Sequence, residues 1–361
     1  MNPGRPSDLS PHGADPHPAG PVGGAGQPPG LRDPRLGVHP PFDPELAAVL
    51  AARPQISVSL LARHIPKLRE AQAAPGARLD DTQLCLGGAV LVEETSVAAS
   101  ESGVLLPLLV LRPAQFAGPR PALVFFHGGG MVAGDNRSGI EVPLEWVVQL
   151  GMVVLSVGYR LAPEHPHPVP VEDCYAALCA VARQRAALDI DTGPLMVAGV
   201  SSGGGLAAGV ALLARDRGGP QVSDQILMCP MLDDQARFHS SGELLREGTW
   251  DARSNKTGWE ALLGAACGTP QVPPCAAPSR AASLAGLPAA YLDVGAVETF
   301  RDEVIDYAAR LAQEAVSTEL HVWAGAFHGF DVLAPDASVS RAARAARIDY
   351  LRRRLGGRTA K

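Results

Sequence analysis

One stretch of the sequence, Val197-Ala198-Gly199-Val200-Ser201-Ser202-Gly203-Gly204-Gly205, decides the fold. The apolar residues 195–198 predict the end of a buried strand, and residues 206–214 predict a helix. Between them, Gly199, Ser201 and Gly203 follow the pattern G-x-S-x-G, which is typical of a sharp turn that carries a nucleophilic serine. A turn this tight leaves no room for a Cβ atom beside the serine, which takes a strained conformation with its Oγ in a cleft. The pattern alone is weak evidence for catalysis, because small residues often join a strand to a helix.

Strands and helices alternate along most of the chain. Apolar runs predict strands at residues 88–92, 104–111, 122–126, 152–157, 195–199, 225–231, 289–294 and 319–323. Apolar strands that alternate with helices predict an α/β fold, in which helices cover both faces of a mostly parallel sheet. Pro107 interrupts the second run. It predicts an edge strand or a bulge there, because proline cannot donate a hydrogen bond to a sheet.

The chain divides into five segments. Residues 1–40 are crowded with Pro, Gly and Ala and hold almost no large apolar residue, so we expect a disordered tail. Residues 41–80 predict short helices, and residues 81–231 and 289–361 predict the two parts of the core. Residues 232–288 contain no good strand and are too long for a connecting loop, so we expect an inserted helical segment. Together with residues 41–80, this insertion is expected to form a cap over the strand ends.

Composition limits the partners and the compartment. The chain has 361 residues, of which 46% are apolar, and its formal net charge is −6, so we expect no nucleic-acid partner. No run of 18 apolar residues occurs, which predicts no transmembrane helix. Six cysteines are scattered without a C-x-x-C pair, which predicts buried, reduced thiols in a cytoplasmic protein and no metal site.

The basic stretch at residues 341–358 has two interpretations. It contacts a membrane or a nucleic acid, or it is a last helix that packs Ala342, Ala345, Ile348 and Leu351 inward and its arginines outward. Cations near the end of a helix also suit the helix dipole. We favour the helix, which leaves neither a membrane nor a nucleic acid as a partner.

A glycine-rich motif, His127-Gly128-Gly129-Gly130, follows the apolar strand at residues 122–126. One interpretation is a flexible turn. The other is an oxyanion hole, in which the backbone N–H groups of Gly128, Gly129 and Gly130 approach a substrate with no side chain in the way. The N–H group of Ser202, which follows the serine of the turn, is then a further donor. A triple glycine directly after a buried strand favours the oxyanion hole.

A nucleophilic serine needs a base, and the base needs an acid that orients it. His328 lies in a loop just after the last predicted strand, at the end of the sheet where open α/β folds place their sites. The acid should precede it, on the loop after the penultimate strand, and the candidate carboxylates are Asp293, Glu298, Asp302 and Glu303. Asp293 falls inside the strand, and Asp302 and Glu303 fit the acidic first turn of a helix. Position therefore favours Glu298, although a solvated loop carboxylate is an equal alternative.

With these residues placed, the chain resembles the α/β-hydrolase superfamily. Within it, the chain resembles the hormone-sensitive-lipase-like family of microbial carboxylesterases, over residues from about 85 to 355. Residues 159–166 resemble the family's Y-R-L-A-P-E-H-x-x-P stretch, the most specific match, whose role we expect to be structural. Residues 199–204 resemble its G-D-S-A-G-G motif, with Val200 and Ser202 in place of Asp and Ala.

Three further matches complete the resemblance. Residues 127–130 resemble the family's oxyanion-hole signature, H-G-G-G, and residues 328–330 resemble the H-G-F around its catalytic histidine. Residues 298–303 resemble its D-P-L-R-D-E segment. The matching residues 301–303 set the register, which puts Glu298 where the family has its catalytic Asp.

The resemblance implies an α/β-hydrolase fold with a helical cap. It also implies a serine carboxylesterase that hydrolyses short- to medium-chain esters through an acyl-enzyme, with a small-molecule ester as its partner. Ser201 is then the nucleophile, His328 the base and Glu298 the orienting acid, and no metal or cofactor is needed. An amidase, a formamidase or a lactonase would share this triad. A non-catalytic binder would have lost the histidine that this chain retains, and a homo-oligomer is compatible with the sequence.

Overall fold

The described strands form one sheet. The computed structural model describes residues 1, 37–74, 76–99, 103–115 and 120–359. Its strands are β1 (Val90–Ala99), β2 (Val104–Pro113), β3 (Ala122–Phe126), β4 (Val153–Val157), β5 (Leu195–Val200), β6 (Val222–Met228), β7 (Ala289–Gly295) and β8 (Thr318–Trp323). Their order is β1-β2-β4-β3-β5-β6-β7-β8. The pairs β1–β2 and β2–β4 are antiparallel and the others are parallel, which confirms the predicted mostly parallel α/β sheet.

From β3 to β8 a helix lies between consecutive strands as the alternation predicted, and further helices precede β1 and follow β8. The helices are α1 (Pro44–Ala52), α2 (Ile65–Ala73), α3 (Asp81–Leu84), α4 (Glu141–Leu150), α5 (Val169–Arg183), α6 (Ser202–Asp216), α7 (Ala252–Leu263), α8 (Arg301–Gln313), α9 (Phe330–Leu333) and α10 (Ser338–Thr359). Short 3-10 turns occur at Pro54–Ile56, Ala62–His64, Leu86–Gly88, Ser240–Gly242, Gly264–Ala266 and Pro278–Arg280.

The sheet separates two apolar layers. Strand β3 lies in the middle of the sheet, and all five of its residues are buried. Its side chains alternate, so that Phe126 joins the layer covered by α5, α6 and α8, while Phe125 joins the layer covered by α4 and α10. A strand covered on both faces needs apolar residues at every position, which explains the continuous apolar run at residues 122–126.

Pro107 does not mark an edge strand, because β2 lies between β1 and β4. The ladder between β2 and β4 covers Leu108 to Leu111, so Pro107 lies one residue outside it. The carbonyl of Pro107 still accepts a hydrogen bond from the N–H of Gly158 at 2.8 Å. The N and carbonyl of a strand residue point to the same side. The missing N–H therefore faces the end of this ladder, where a proline costs little.

The inward face of the C-terminal helix α10 was predicted correctly only in part. Ile348 and Leu351 are buried as expected, but Ala342 and Ala345 are exposed. Arg347 is buried instead. It lies four residues before Leu351 and next to Ile348, and residues at this spacing share one face of a helix. The expectation that all the arginines point outward is therefore wrong.

The N-terminal segment and the insertion contact each other. The hydroxyl of Ser59 donates to the carboxylate of Asp251, and the N–H of Leu60 donates to Ser254 Oγ at 2.8 Å. Asp251 also begins helix α7, since its side chain accepts from the N–H of Ser254. Residues 57–60 and the start of α7 are thus held by one buried polar cluster.

Most of the predicted disordered tail, at residues 2–36, lies outside the described residues. Within residues 37–40, the N–H of Gly37 donates to the carbonyl of Glu243 at 2.8 Å, and His39 pairs with Glu247 at 2.9 Å. These last residues of the segment therefore contact the insertion. In the described part of the chain, no helix combines the length and the apolar character needed to cross a bilayer.

The six cysteines are free thiols. Cys174 and Cys229 are buried as predicted, whereas the other four are only partly buried, at positions Cys85, Cys179, Cys267 and Cys275.

Candidate active site

The turn between β5 and α6 has the strained backbone that the sequence predicts. Ser201 has φ of 59° and ψ of −122°, a conformation that side chains rarely adopt. A Cβ atom on Gly199 would lie 2.0 Å from the carbonyl oxygen of Gly203. One on Gly203 would lie 2.0 Å from the carbonyl oxygen of Phe126. Both glycines are therefore required by close backbone contacts.

His328 lies between Ser201 and Glu298. Its Nε2 is 2.9 Å from Ser201 Oγ, and its Nδ1 is 3.0 Å from Glu298 Oε1. In the tautomer with its proton on Nδ1, His328 donates to Glu298, and Nε2 is free to accept the proton of the serine. The structure thus brings together the three residues that the sequence proposed, in the order of a nucleophile, a base and an acid.

Glu298 is buried rather than solvated, with 1% of its surface exposed. Its second oxygen, Oε2, accepts a hydrogen bond from the N–H of Gly295 at 2.9 Å. A Cβ atom on Gly295 would lie 3.1 Å from that oxygen and 2.2 Å from the carbonyl oxygen of Ala326. The glycine therefore provides the space in which the longer glutamate side chain folds back.

The other candidate acids have different partners. Asp293 forms an ion pair with Arg347 at 2.6 Å. Asp302 accepts from the N–H of Ser240 at 2.9 Å. Glu303 accepts from the N–H of Leu232 at 2.7 Å, and burial raises the pKa of its carboxyl well above the usual range. These contacts leave Glu298 as the carboxylate on His328.

The glycine motif lies next to Ser201. A Cβ atom on Gly128 would lie 3.4 Å from the Cβ of Ser201, and Gly129 has φ of 118°. Among the described residues, none accepts a hydrogen bond from the N–H groups of Gly128, Gly129, Gly130 or Ser202. Unpaired backbone donors around a nucleophile are what an oxyanion hole needs.

Gly130 has an additional packing role. A Cβ atom there would lie 2.4 Å from the indole ring of Trp250 in the insertion. The rings of Trp250 and His328 lie 6.4 Å apart, and the hydroxyl of Thr249 donates to the carbonyl of His328. The insertion therefore contacts both the glycine motif and the histidine. Thr249 and Trp250 were not predicted as site residues, because no local sequence pattern ties them to the distant histidine.

The imidazole of His127 contacts the backbone of the glycine motif. Its Nδ1 lies 2.7 Å from the carbonyl oxygen of Gly128, and its ring stacks on Tyr159 with centroids 4.2 Å apart. The hydroxyl of Tyr159 donates to the carbonyl of His127 at 2.8 Å. Tyr159 begins the stretch 159–166, so this stretch has the structural role that the sequence predicted. Arg69 of α2 adds to it by donating to the carbonyls of Val132 and Ala162.

Among the described residues, two groups of side chains bring possible metal ligands together. Ligand atoms of Cys229, Glu298 and His328 lie within 4.8 Å of one another. Burial raises the pKa of the Cys229 thiol well above its usual range, which opposes the thiolate that a metal would bind. In the second group, His239, Glu243 and Asp302, the guanidinium of Arg301 already supplies a positive charge to Glu243 at 2.7 Å. Neither group fits a resident metal.

The geometry agrees with comparison to known proteins. A family model described as alpha/beta hydrolase fold matches residues 123–332. The chain belongs to the α/β-hydrolase family. Human hormone-sensitive lipase is 37% identical to this α/β-hydrolase over 135 residues, which cover 37% of this chain and 12% of the lipase. The predicted resemblance to the hormone-sensitive-lipase-like family is thus confirmed.

Two further relatives of this α/β-hydrolase are esterases. Esterase LipI of Mycobacterium tuberculosis is 35% identical over 210 residues, which cover 58% of this chain and 65% of LipI. This chain therefore spans just under two thirds of that relative. The solved structure of a bacterial heroin esterase matches with a TM-score of 0.79 and 36% identity, over 86% of this chain and 97% of the esterase.

The buried imidazole of His127 predicts a loss of stability in acid. Burial lowers its pKa from 6.5 to about 4, and its Nε2 has no hydrogen-bond partner among the described residues. Between these pH values the unfolded chain binds a proton that the folded chain does not, so stability falls as the pH falls. We expect His127 to account for about 3 kcal/mol of this loss. Urea unfolding of the wild type and of His127→Asn at pH 7 and pH 4 measures it. Carboxylate titration lowers the stability of both proteins equally, so only the difference between their losses reports His127. Equal losses in the two proteins would contradict the prediction.

Proposed function

We propose that this α/β-hydrolase is a serine carboxylesterase that hydrolyses short- to medium-chain esters through an acyl-enzyme. The observation that carries the proposal is the position of His328, 2.9 Å from Ser201 Oγ and 3.0 Å from Glu298 Oε1. The ester-hydrolysing relatives support the same reaction. The sequence-based prediction of a cytoplasmic location stays a prediction.

The proposed reaction has two steps. His328 takes the proton of Ser201 as Oγ attacks the acyl carbon, and then gives that proton to the leaving alcohol. The N–H groups of Gly128, Gly129, Gly130 and Ser202 stabilise the oxyanion of the tetrahedral intermediate. Water then attacks the acyl-enzyme with the same base, and the acid is released. Glu298 fixes the tautomer of His328 and stabilises its positive form. No step calls for a cofactor.

The proposed cap consists of residues 41–80 and the insertion at residues 232–288. Its contacts with the site are Thr249 on His328 and Trp250 on Gly130. An amidase, a formamidase or a lactonase would use the same three residues. Retention of both Ser201 and His328 favours an enzyme over a non-catalytic binder. The substrate is then a small-molecule ester, and a homo-oligomer is compatible with this proposal.

Removal of the nucleophile tests the mechanism directly. Ser201→Ala should lower kcat by about 10⁶, the scale seen when the serine of such a triad is lost. The assay is hydrolysis of a soluble aryl ester by the purified protein. An organophosphonate should form an adduct on Ser201, detected by mass spectrometry of the digested protein, and Ser201→Ala should not be labelled. An adduct on Ser202 would show that the nucleophile is misassigned.

The orienting acid is tested by a neutral substitution. Glu298→Gln should lower kcat by about 10⁴, because the amide favours the wrong tautomer of His328. Asp293→Asn is the comparison, and it should cost far less because Asp293 contacts Arg347 rather than the imidazole. Steady-state kinetics of both variants give the answer. A larger loss for Asp293→Asn would mean that Glu298 is not the acid.

The cap predicts a limit on acyl length. Each methylene that fits the pocket should add about 0.8 kcal/mol of binding, and the gain stops where the pocket wall is reached. We therefore expect kcat/KM to rise from acetyl esters, to peak at chains of about four to eight carbons as the family resemblance implies, and then to fall. A series of 4-nitrophenyl esters measures this profile. A preference for chains of about sixteen carbons, with a rate increase at an oil–water interface, would identify a true lipase instead.

A further inference from the structure

The strongest feature outside the triad is a buried arginine between two carboxylates. Arg347 lies on the inner face of α10, and its side chain is 3% exposed. Its Nε lies 2.6 Å from Asp293 Oδ2, and its Nη1 contacts Asp331 Oδ2. Both carboxylates are themselves buried, with 1% of Asp293 and 5% of Asp331 exposed. The basic C-terminal stretch therefore sends one of its charges into the core.

The two carboxylates belong to the two chain segments that carry the acid and the base. Asp293 lies in β7, five residues before Glu298, and Asp331 lies in α9, three residues after His328. One guanidinium thus spans the segments whose relative position sets the contact between Glu298 and His328. We propose that Arg347 is a positioning residue that fixes this contact, an inference that rests on the proposed function.

The chemistry of the guanidinium suits this role. Its planar set of N–H donors binds two carboxylates in fixed directions, which the flexible ammonium of a lysine does not do. Arg347 lowers the pKa of the Asp331 carboxyl below its usual value, although burial opposes this. A buried ion pair gives little net stability compared with apolar packing of the same volume. Directional restraint is therefore the property that distinguishes this arginine from an apolar residue.

The segment after His328 depends on α10 for its position. Gly329 has φ of 72° and begins the four-residue helix α9. Besides Arg347, Arg344 donates to the carbonyl of Asp331 at 2.7 Å, and Ser340 Oγ donates to the carbonyl of Phe330 at 3.4 Å. Arg347 differs from these two, because it alone of the three also contacts the strand that leads to Glu298.

The strand end at Asp293 is also linked to the nucleophile. The carbonyl of Asp293 accepts from the N–H of Cys229 at 2.7 Å, and the carbonyl of Met228 accepts from the N–H of Ser201 at 2.8 Å. Backbone hydrogen bonds therefore set the position of β7 relative to Ser201. The side chain of Arg347 connects β7 to a further segment, the one that carries His328.

The same helix provides a matched control. Arg354 of α10 pairs with the buried Asp224 at 2.5 Å. Asp224 lies near the start of β6, at the opposite end of that strand from Met228. Loss of Arg354 removes a helix-to-sheet ion pair as loss of Arg347 does, but at the end of the sheet remote from Ser201. The Arg354 side chain is 40% exposed against 3% for Arg347, so we expect its loss to cost less stability. Both losses leave a buried carboxylate without its ion pair, but only the loss of Arg347 affects the segments that carry Glu298 and His328.

The test compares Arg347→Met, Arg347→Lys and Arg354→Met with the wild-type protein. Each is assayed with a soluble aryl ester at a temperature well below its own Tm. Arg347→Met should lower kcat by about 10²-fold, the cost of a misplacement of about 1 Å, with KM changed by less than about twofold. The rate of phosphonate labelling at Ser201 should fall in parallel. Arg347→Lys should recover part of kcat, and Arg354→Met should lower Tm while kcat stays at the wild-type value.

If Arg347→Met does not fold, Asp331→Asn gives the same test with a smaller change of shape. It keeps the pair between Arg347 and Asp293 and should lower kcat by about tenfold with KM unchanged. Unchanged kcat in Asp331→Asn, or equal losses in Arg347→Met and Arg354→Met, would overturn the inference. A wild-type protein that neither hydrolyses the ester nor forms a phosphonate adduct would instead overturn the proposed function.

Discussion

The structure depends on the close backbone contacts of Gly203 at the start of α6. A Cβ atom at this position would lie 2.0 Å from the carbonyl oxygen of Phe126 and 2.4 Å from that of His127. The first turn of α6 therefore touches the exact chain segment that leads into the glycine motif. This close approach places the residues that follow Ser201 against the segment that leads into the glycine motif. A side chain at Gly203 would separate the nucleophile from the proposed oxyanion hole.

Buried polar side chains and ion pairs fix the irregular segments at the same end of the sheet. These segments lack the repeating hydrogen bonds of helices and strands, so their backbone groups need other partners. Glu303 accepts from the N–H groups of Leu232 and Asp233, and Asp234 pairs with Arg280 at 2.5 Å. These side chains thus join the first residues after β6 to later parts of the chain. Burying polar and charged groups costs free energy, and here their hydrogen bonds and ion pairs give the loops a defined geometry.

The sequence predicted those parts of the fold that are encoded locally. Each apolar run gave a strand, and the run at residues 122–126 agrees with β3 residue for residue. The strand predicted at residues 225–231 was displaced, since β6 is Val222–Met228. Its apolar end leaves the ladder at Cys229, where φ is 37°, and Met231 turns to donate to the carbonyl of Ser201. Apolar residues that line a bend look the same in sequence as those of a strand.

The site was predictable where a motif carried it and unpredictable where long-range contacts did. Ser201, His328 and Glu298 each belong to a short pattern with a fixed register. Arg347 belongs to a basic helix whose charges look solvated, and only its spacing from Ile348 and Leu351 indicates that it points inward. That spacing was available in the sequence, but the two carboxylates that it meets were not. Their pairing exists only once β7 and α9 are packed against α10.

The glutamate of the proposed triad illustrates how a local exception is accommodated. A glutamate is one methylene longer than the aspartate usual in this family, so its carboxylate must retreat to meet the same imidazole nitrogen. Here the side chain folds back until Oε2 accepts from the N–H of Gly295, three residues earlier. A Cβ atom at this position would lie 3.1 Å from Oε2 and 2.2 Å from the carbonyl oxygen of Ala326, so a glycine is needed there. Gly295 and Glu298 therefore act together. The hydrogen bond to Gly295 holds Oε2 within the turn at residues 295–298, which leaves Oε1 directed at His328. The orientation of the imidazole thus depends on the position of that turn.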